Sequence, residues 1–121
     1  MADESSGDRA RIWFRLTLSG GALGPGKMAL MAAVATTGSV SAAARSLRMS
    51  HARSVKLVAE INALSAQPLI DTRAGGAAGG GAALTPLGCA VMAAYAALDA
   101  AVASASAASI RAIETLLDGA G

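Results

Sequence analysis

Three aromatic side chains, Trp13, Phe14 and Tyr95, are all that this chain of 121 residues contains. Proteins that hold single-stranded nucleic acid stack its bases on aromatic platforms, and three rings cannot build one. Cysteine is as scarce, and Cys89 has no second thiol for an intramolecular disulfide, which fits the reducing cytoplasm. The lone histidine, His51, has no cysteine or carboxylate at ligand spacing, so no metal site is expected. The acids are dispersed and no nucleophile lies beside a base, so the chain does not read as an enzyme. No cofactor is implied either: the Lys-Ser/Thr step of a phosphate-binding loop is absent, and no glycine fingerprint opens a helix after a strand. A secretory signal needs positive charge and then an apolar run, whereas this N-terminus opens with Asp3, Glu4 and Asp8.

Alanine is abundant and supplies much of the 54% hydrophobic share. It buries little area per residue yet is the best helix former, so a mostly helical protein is expected. The length suits one domain with one core. Residues 88–110 are apolar enough to raise the question of a membrane, but the segment is mostly alanine, holds Asp99 and is broken by Ser104, Ser106 and Ser109; no membrane partner is expected. Cys89 there reads as a small buried hydrophobe, with a lowered thiol pKa and redox sensing as the alternative.

The net charge of +2 gains meaning from its distribution. Arg9, Arg11, Arg15, Lys27, Arg45, Arg48, Arg53 and Lys56 fall in a stretch from Arg9 to Ala59 that holds no acid. A solvated surface is the plain reading of such a run, but one sign over this length marks an anion-binding face, and nucleic acid is the favoured anion.

Along the chain, residues 1–10 read as a disordered acidic tail. Ile12, Phe14, Leu16 and Leu18 alternate with Trp13, Arg15 and Thr17, the period of a half-buried strand over 11–18. Four glycines and Pro25 make 19–26 a loop, and a helix starting near Pro25 is stopped by Gly38. Ser41 then caps a short helix through Leu47, Arg48 and Met49 turn, and Ser50 caps a longer helix to about Leu64. Two helices joined by a tight turn form a helix-turn-helix. On the second, Ser54, Leu57, Val58, Ile61 and Leu64 gather on one side while Ala52, Lys56, Ala59 and Glu60 point away, leaving its first turns free to enter a groove.

Residues 68–73 and 82–85 are short strand candidates around a glycine-rich tip, Gly75-Gly76-Ala77-Ala78-Gly79-Gly80-Gly81. Alone such a run is a flexible linker; after a helix-turn-helix it is a wing whose backbone amides can approach a phosphate. From Thr85, with Pro86 in the first turn, the chain reads as one long helix or two. Leu87, Val91, Met92, Tyr95, Leu98 and Val102 form one stripe and Ile110, Ile113, Leu116 and Leu117 another, a surplus of apolar surface that suggests a subunit interface. The fold class is therefore mainly α with a small β-hairpin wing: tail 1–10, winged helix-turn-helix 11–85, dimerisation helix 86–118.

The stretch Thr37-Gly38-Ser39-Val40-Ser41-Ala42-Ala43-Ala44, then Met49-Ser50, Glu60-Ile61-Asn62 and Leu64-Ser65, resembles the helix-turn-helix of the molybdate-responsive ModE regulators. The wing, from Arg73 to Leu84-Thr85-Pro86-Leu87-Gly88, is more similar still, and the helix-turn-helix by itself also resembles that of the broader LysR-type regulators. The resemblance implies a winged-helix domain that binds duplex DNA and dimerises through its N-terminal strand region and C-terminal helix. Two departures stand out: Ala77 and Ala78 occupy the wing where the family commonly has a basic residue, and the molybdate-binding domains do not follow within these residues. Direct molybdate sensing is accordingly not expected of this chain, and no small-molecule effector is identifiable from the sequence.

The candidate DNA contacts follow. Arg53 and Lys56 reach bases or phosphates from the recognition helix, or form a solvated face. Ser50 caps that helix, whose N-terminus can also donate to a phosphate, and Ala52 lies on its outer side. His51 contacts a guanine or phosphate, or sits in the turn. Arg45 and Arg48 touch the backbone beside the groove and supply affinity more than sequence choice, and Ser39 is a further candidate contact. Arg73, Gly75, Gly76, Gly79 and Gly80 form the wing contact. The competing reading is a protein-interaction module with a degenerate winged helix that pairs with another regulator. A gel shift against random duplex DNA at low salt separates the two.

Overall fold

The structure is a computed structural model that describes residues 10–73 and 81–120. In chain order it has a hairpin of β1 (Leu16–Leu18) and β2 (Gly21–Leu23), helices α1 (Pro25–Thr37), α2 (Val40–Ser46) and α3 (His51–Asn62), a second hairpin of β3 (Ile70–Asp71) and β4 (Ala83–Leu84), and the long helix α4 (Pro86–Ala120). Both hairpins are antiparallel, with Leu16 opposite Leu23 and Ile70 opposite Leu84. The expected tail falls almost wholly outside the described residues, as does most of the glycine-rich tip. Among the described residues two compact units emerge: one within Phe14–Ala94, and a second joining residues 10–13 to residues 95–120.

In the first unit, Leu30, Met31 and Val34 from α1, Ala43 from α2, and Leu57, Val58 and Ile61 from α3 close around Leu69 and Ile70 of the strand that follows. Val91 and Met92 from the start of α4 pack against this core. Each helix has a readable boundary. Pro25 suits the first turn of α1, and Gly38 ends it at φ 78°, a left-handed conformation that costs glycine almost nothing. The α2 cap is Ser39 rather than Ser41: Ser39 Oγ accepts from the Ala42 amide at 2.9 Å, and its extended backbone is the geometry a cap requires. Ser50 caps α3 as expected, its Oγ accepting from the Arg53 amide at 3.1 Å. That helix ends at Asn62, short of Leu64.

Two expectations for the N-terminal region are corrected. The strand covers only Leu16–Leu18 of the alternating run, and the glycine-rich segment read as a loop contains β2, so the connection is a tight turn at Ser19-Gly20. Gly-Ala-Leu has little strand propensity of its own; pairing with β1 supplies the missing preference. Cys89 is exposed, not buried, because α4 presents it away from the core. From Thr85 the chain forms one helix, not two.

One side chain joins the helix-turn-helix to the wing. Asn62, at the end of α3, accepts on Oδ1 from the amides of Leu69 at 2.8 Å and Ile70 at 2.9 Å, and donates from Nδ2 to the Ile70 carbonyl at 3.0 Å. The return strand is fixed from its other edge, where the Ala82 amide donates to the Gly38 carbonyl at 2.7 Å and Ser39 bridges to Gly81. At the base of the wing the Thr85 amide donates to the Leu69 carbonyl at 3.0 Å, and Thr85 Oγ1 caps α4 by accepting from the Gly88 amide at 3.0 Å. Gly88 lies directly on that carbonyl, and a Cβ there would overlap the Leu69 oxygen.

By length and composition α4 is apolar enough to cross a membrane, and little of it is buried. Its mean hydropathy comes largely from alanine, whose burial contributes little.

Replacing Asn62 with alanine leaves two amides of buried residues without an acceptor, which costs about 2–4 kcal/mol in urea unfolding. Asn62→Asp keeps an acceptor for both amides but sets an oxygen against the Ile70 carbonyl where Nδ2 donated, so it too is expected to lose stability, by about 1–3 kcal/mol. An alanine variant within a few tenths of the parent would show that the wing root is held by other means.

Candidate nucleic-acid interface

The helix-turn-helix presents α3 with its two sides clearly separated. Ser54 is fully buried, its hydroxyl donating to the His51 carbonyl at 2.6 Å, and with Leu57, Val58 and Ile61 it faces the core. His51, Ala52, Arg53, Val55, Lys56 and Ala59 are exposed. The structure therefore brings Ser50, His51, Ala52, Arg53 and Lys56 together on the first turns and outer face of one capped helix.

Arg45 and Arg48 lie at the turn between α2 and α3, both exposed. Arg45 is in the last turn of α2, where a cation also complements the helix dipole. Arg48 is the one described non-glycine residue at positive φ, 56°. The amide of Arg48 donates to the Arg45 carbonyl at 3.1 Å and that of Met49 to the Ala44 carbonyl at 2.9 Å, the bonding of a helix ending in a left-handed residue. Glycine is the usual occupant of this position. An arginine there costs on the order of 1 kcal/mol, so its presence is not explained by local stability.

Ser39 is less available, since its hydroxyl caps α2 and its carbonyl accepts from Thr37 Oγ1 at 3.1 Å. Arg73 is exposed at the wing root. Its amide donates to Asp71 Oδ1 at 2.9 Å and its Nε lies 3.4 Å from the same oxygen. The backbone hydrogen bond, aided by the guanidinium and opposed by partial desolvation, holds the Asp71 carboxyl below its ordinary range. The wing glycines Gly75, Gly76, Gly79 and Gly80 lie outside the described residues.

The structure adds a residue that sequence reading did not single out. Arg15 lines a depression of about 370 Å³ together with Arg53, Lys56 and the first turn of α1. Its signal in the sequence was only membership of the basic run; the β1–β2 hairpin is what carries it to α3. Lys27 lines the same depression but is internally committed. Its Nζ donates to the Ala22 carbonyl at 2.7 Å and pairs with Glu60 at 3.4 Å, so it ties β2 and α1 to α3. Among the described residues, no three or more His, Cys, Asp or Glu are placed to hold a metal ion.

Two comparisons bear on this geometry. Residues 26–89 match the family described as "Bacterial regulatory helix-turn-helix protein, lysR family". Over 88 residues, 73% of this chain, the sequence is 44% identical to the molybdenum-pterin-binding protein MopB of Rhodobacter capsulatus. The chain spans about a third of the length of that relative, 33%. Both resemblances read from the sequence are thereby supported.

Arg48→Gly is expected to gain up to about 1 kcal/mol in stability by relieving the left-handed residue while weakening binding to duplex DNA of any sequence. Arg15→Ala should leave stability unchanged and lower the salt slope of DNA binding by about one. Unfolding and filter binding on the same preparations check both. An Arg48→Gly protein with undiminished DNA affinity would assign the arginine no part in the interface.

Proposed function

This chain belongs to the bacterial regulatory helix-turn-helix proteins of the lysR family, and from that premise we propose that it is a transcriptional regulator that binds a pseudo-palindromic operator in duplex DNA as a homodimer. The observation that carries the reading is the outer face of α3. A helix capped at Ser50, with Arg53 and Lys56 exposed and its opposite side locked into the core, has the shape and charge to enter a major groove. The exposed cations of the turn, Arg45 and Arg48, and Arg15 beside the helix supply phosphate contacts on either side. The glycine-rich wing, with Arg73 at its root, is proposed from sequence to rest on the backbone. Duplex DNA places the work in the cytoplasm and requires no catalytic group.

The homodimer rests on α4 and the N-terminal segment. Ile113 is 57% exposed, Leu116 72% and Leu117 69%, and Trp13 is 67% exposed near the other end of the chain. Leucine and isoleucine side chains in this state recover their hydration cost by burial against a second copy, and a twofold dimer matches a twofold operator. We assign the molybdenum-pterin binding that the name of MopB records to no described residue of this chain.

Binding is expected to be electrostatic at base, with affinity falling at least tenfold as salt rises from about 50 to 200 mM. Arg53→Ala and Lys56→Ala should each cost about 1–3 kcal/mol on a selected operator and less on random duplex if the contact is to a base. Salt-independent binding would refute the reading, and equal losses on both DNAs would make these residues phosphate contacts.

For the dimer, light scattering of the full chain should give twice the chain mass. Ile113→Glu combined with Leu117→Glu should give a monomer with its helicity intact, because both residues are exposed within one chain. A double variant that remains dimeric would place the interface elsewhere.

A further inference from the structure

The outer face of α3 divides into two edges of different chemistry. Arg53, Lys56 and Glu60 follow one another at helical spacing along the edge facing Arg15. Ala52, Val55 and Ala59, three and four residues apart, form the adjacent stripe. Val55 and Ala59 line a separate hollow of about 380 Å³, bounded by Val40 of α2 and Thr72 at the wing root. Val55 is 50% exposed in the middle of the helix, with alanines one turn before and after it.

This face lacks part of the hydrogen-bonding vocabulary of the major groove. Adenine is read by a bidentate carboxamide and cytosine by a carboxylate. The one carboxamide of α3, Asn62, is fully engaged with Leu69 and Ile70. Its one carboxylate, Glu60, is paired with Lys27. The outward groups that remain are His51 on the first turn, the cations, which suit the acceptors of guanine, and an apolar stripe. The apolar feature of the major groove is the C5 methyl of thymine.

We infer that Val55 is a specificity-determining residue that selects thymine through its methyl group. The inference rests on the DNA-binding reading given above and deepens it. Ala52 and Ala59 let the helix approach closely enough for Val55 to touch that methyl, while Arg53 and Lys56 act on the neighbouring edge. The discrimination is apolar burial, so it differs in kind from the salt-dependent contacts made by the arginines.

The test begins by selecting a preferred operator for the full chain from random-sequence duplexes. Each enriched thymine is then replaced by deoxyuridine, which removes only the methyl and keeps base pairing. At one position in each half-site the replacement should weaken binding about fourfold, the effect of one buried methyl-sized group. In Val55→Ala that penalty should fall to nearly one, and in Val55→Thr, which keeps a methyl, part of it should return. Penalties at other positions should not change, and circular dichroism confirms folding of the variants. If no thymine shows a methyl penalty, or if Val55→Ala retains it in full, the inference is overturned while the DNA-binding reading stands. A chain that retains no duplex even at low salt overturns that reading and this inference together.

Discussion

The carboxamide of Asn62 satisfies the backbone of the strand that leads into the wing, and the placement of most other elements depends on it. Two consecutive buried residues, Leu69 and Ile70, expose amides to its single oxygen. In a domain this small a sheet of two-residue strands cannot meet all its own backbone needs, so a helix side chain completes the pairing. With β3 anchored to the end of α3, the Leu69 carbonyl becomes the acceptor for Thr85, and Thr85 in turn starts α4. The return strand reaches back to Gly38, between α1 and α2. A loop of hydrogen bonds thus surrounds the core formed by Leu30, Met31, Val34 and Ile61, and it fixes the angle at which α3 is offered to a partner.

The basic stretch serves two purposes that its composition does not separate. Lys27 is drawn inward by Glu60 and the Ala22 carbonyl, where its charge helps hold the hairpin and two helices together. Arg48 remains exposed, in a backbone conformation that glycine would adopt at lower cost. Arg15, Arg53 and Lys56 lie around one depression, with no ion pair to an acid among the described residues, and they form the electrostatic centre of the proposed interface. With an apolar stripe beside this centre, the proposed interface would draw affinity and sequence choice from different physical effects on neighbouring edges of one helix.

Alanine governs the rest of the chain. It makes α4 continuous over 35 residues without requiring a large core, because helix propensity and burial are separate properties. The bulky exceptions at Ile113, Leu116 and Leu117 are left exposed, and the proposed dimer would cover them. The same alanine content gives the helix a membrane-like hydropathy without the side-chain bulk usual in a spanning segment.

Local chemistry in the sequence was enough to determine α1, α3 and the start of α4. Pro25, Gly38, Ser50 and Thr85 are boundary residues whose effect acts within a few positions, and the spacing of Ser54, Leu57, Val58 and Ile61 declares the buried side of α3 without reference to anything else. The outward placement of His51, Ala52, Arg53 and Lys56 was legible for the same reason, since the face opposite a buried stripe must be outward. Only the tertiary structure decided that Gly21–Leu23 is a strand, that Ser39 and not Ser41 caps α2, and that Cys89 faces outward. Long-range contacts also separated Lys27 from the other cations and brought Arg15 to α3. Strand pairing and ion pairing are made between residues far apart in the chain, whereas a cap or a helical stripe is complete within a turn or two.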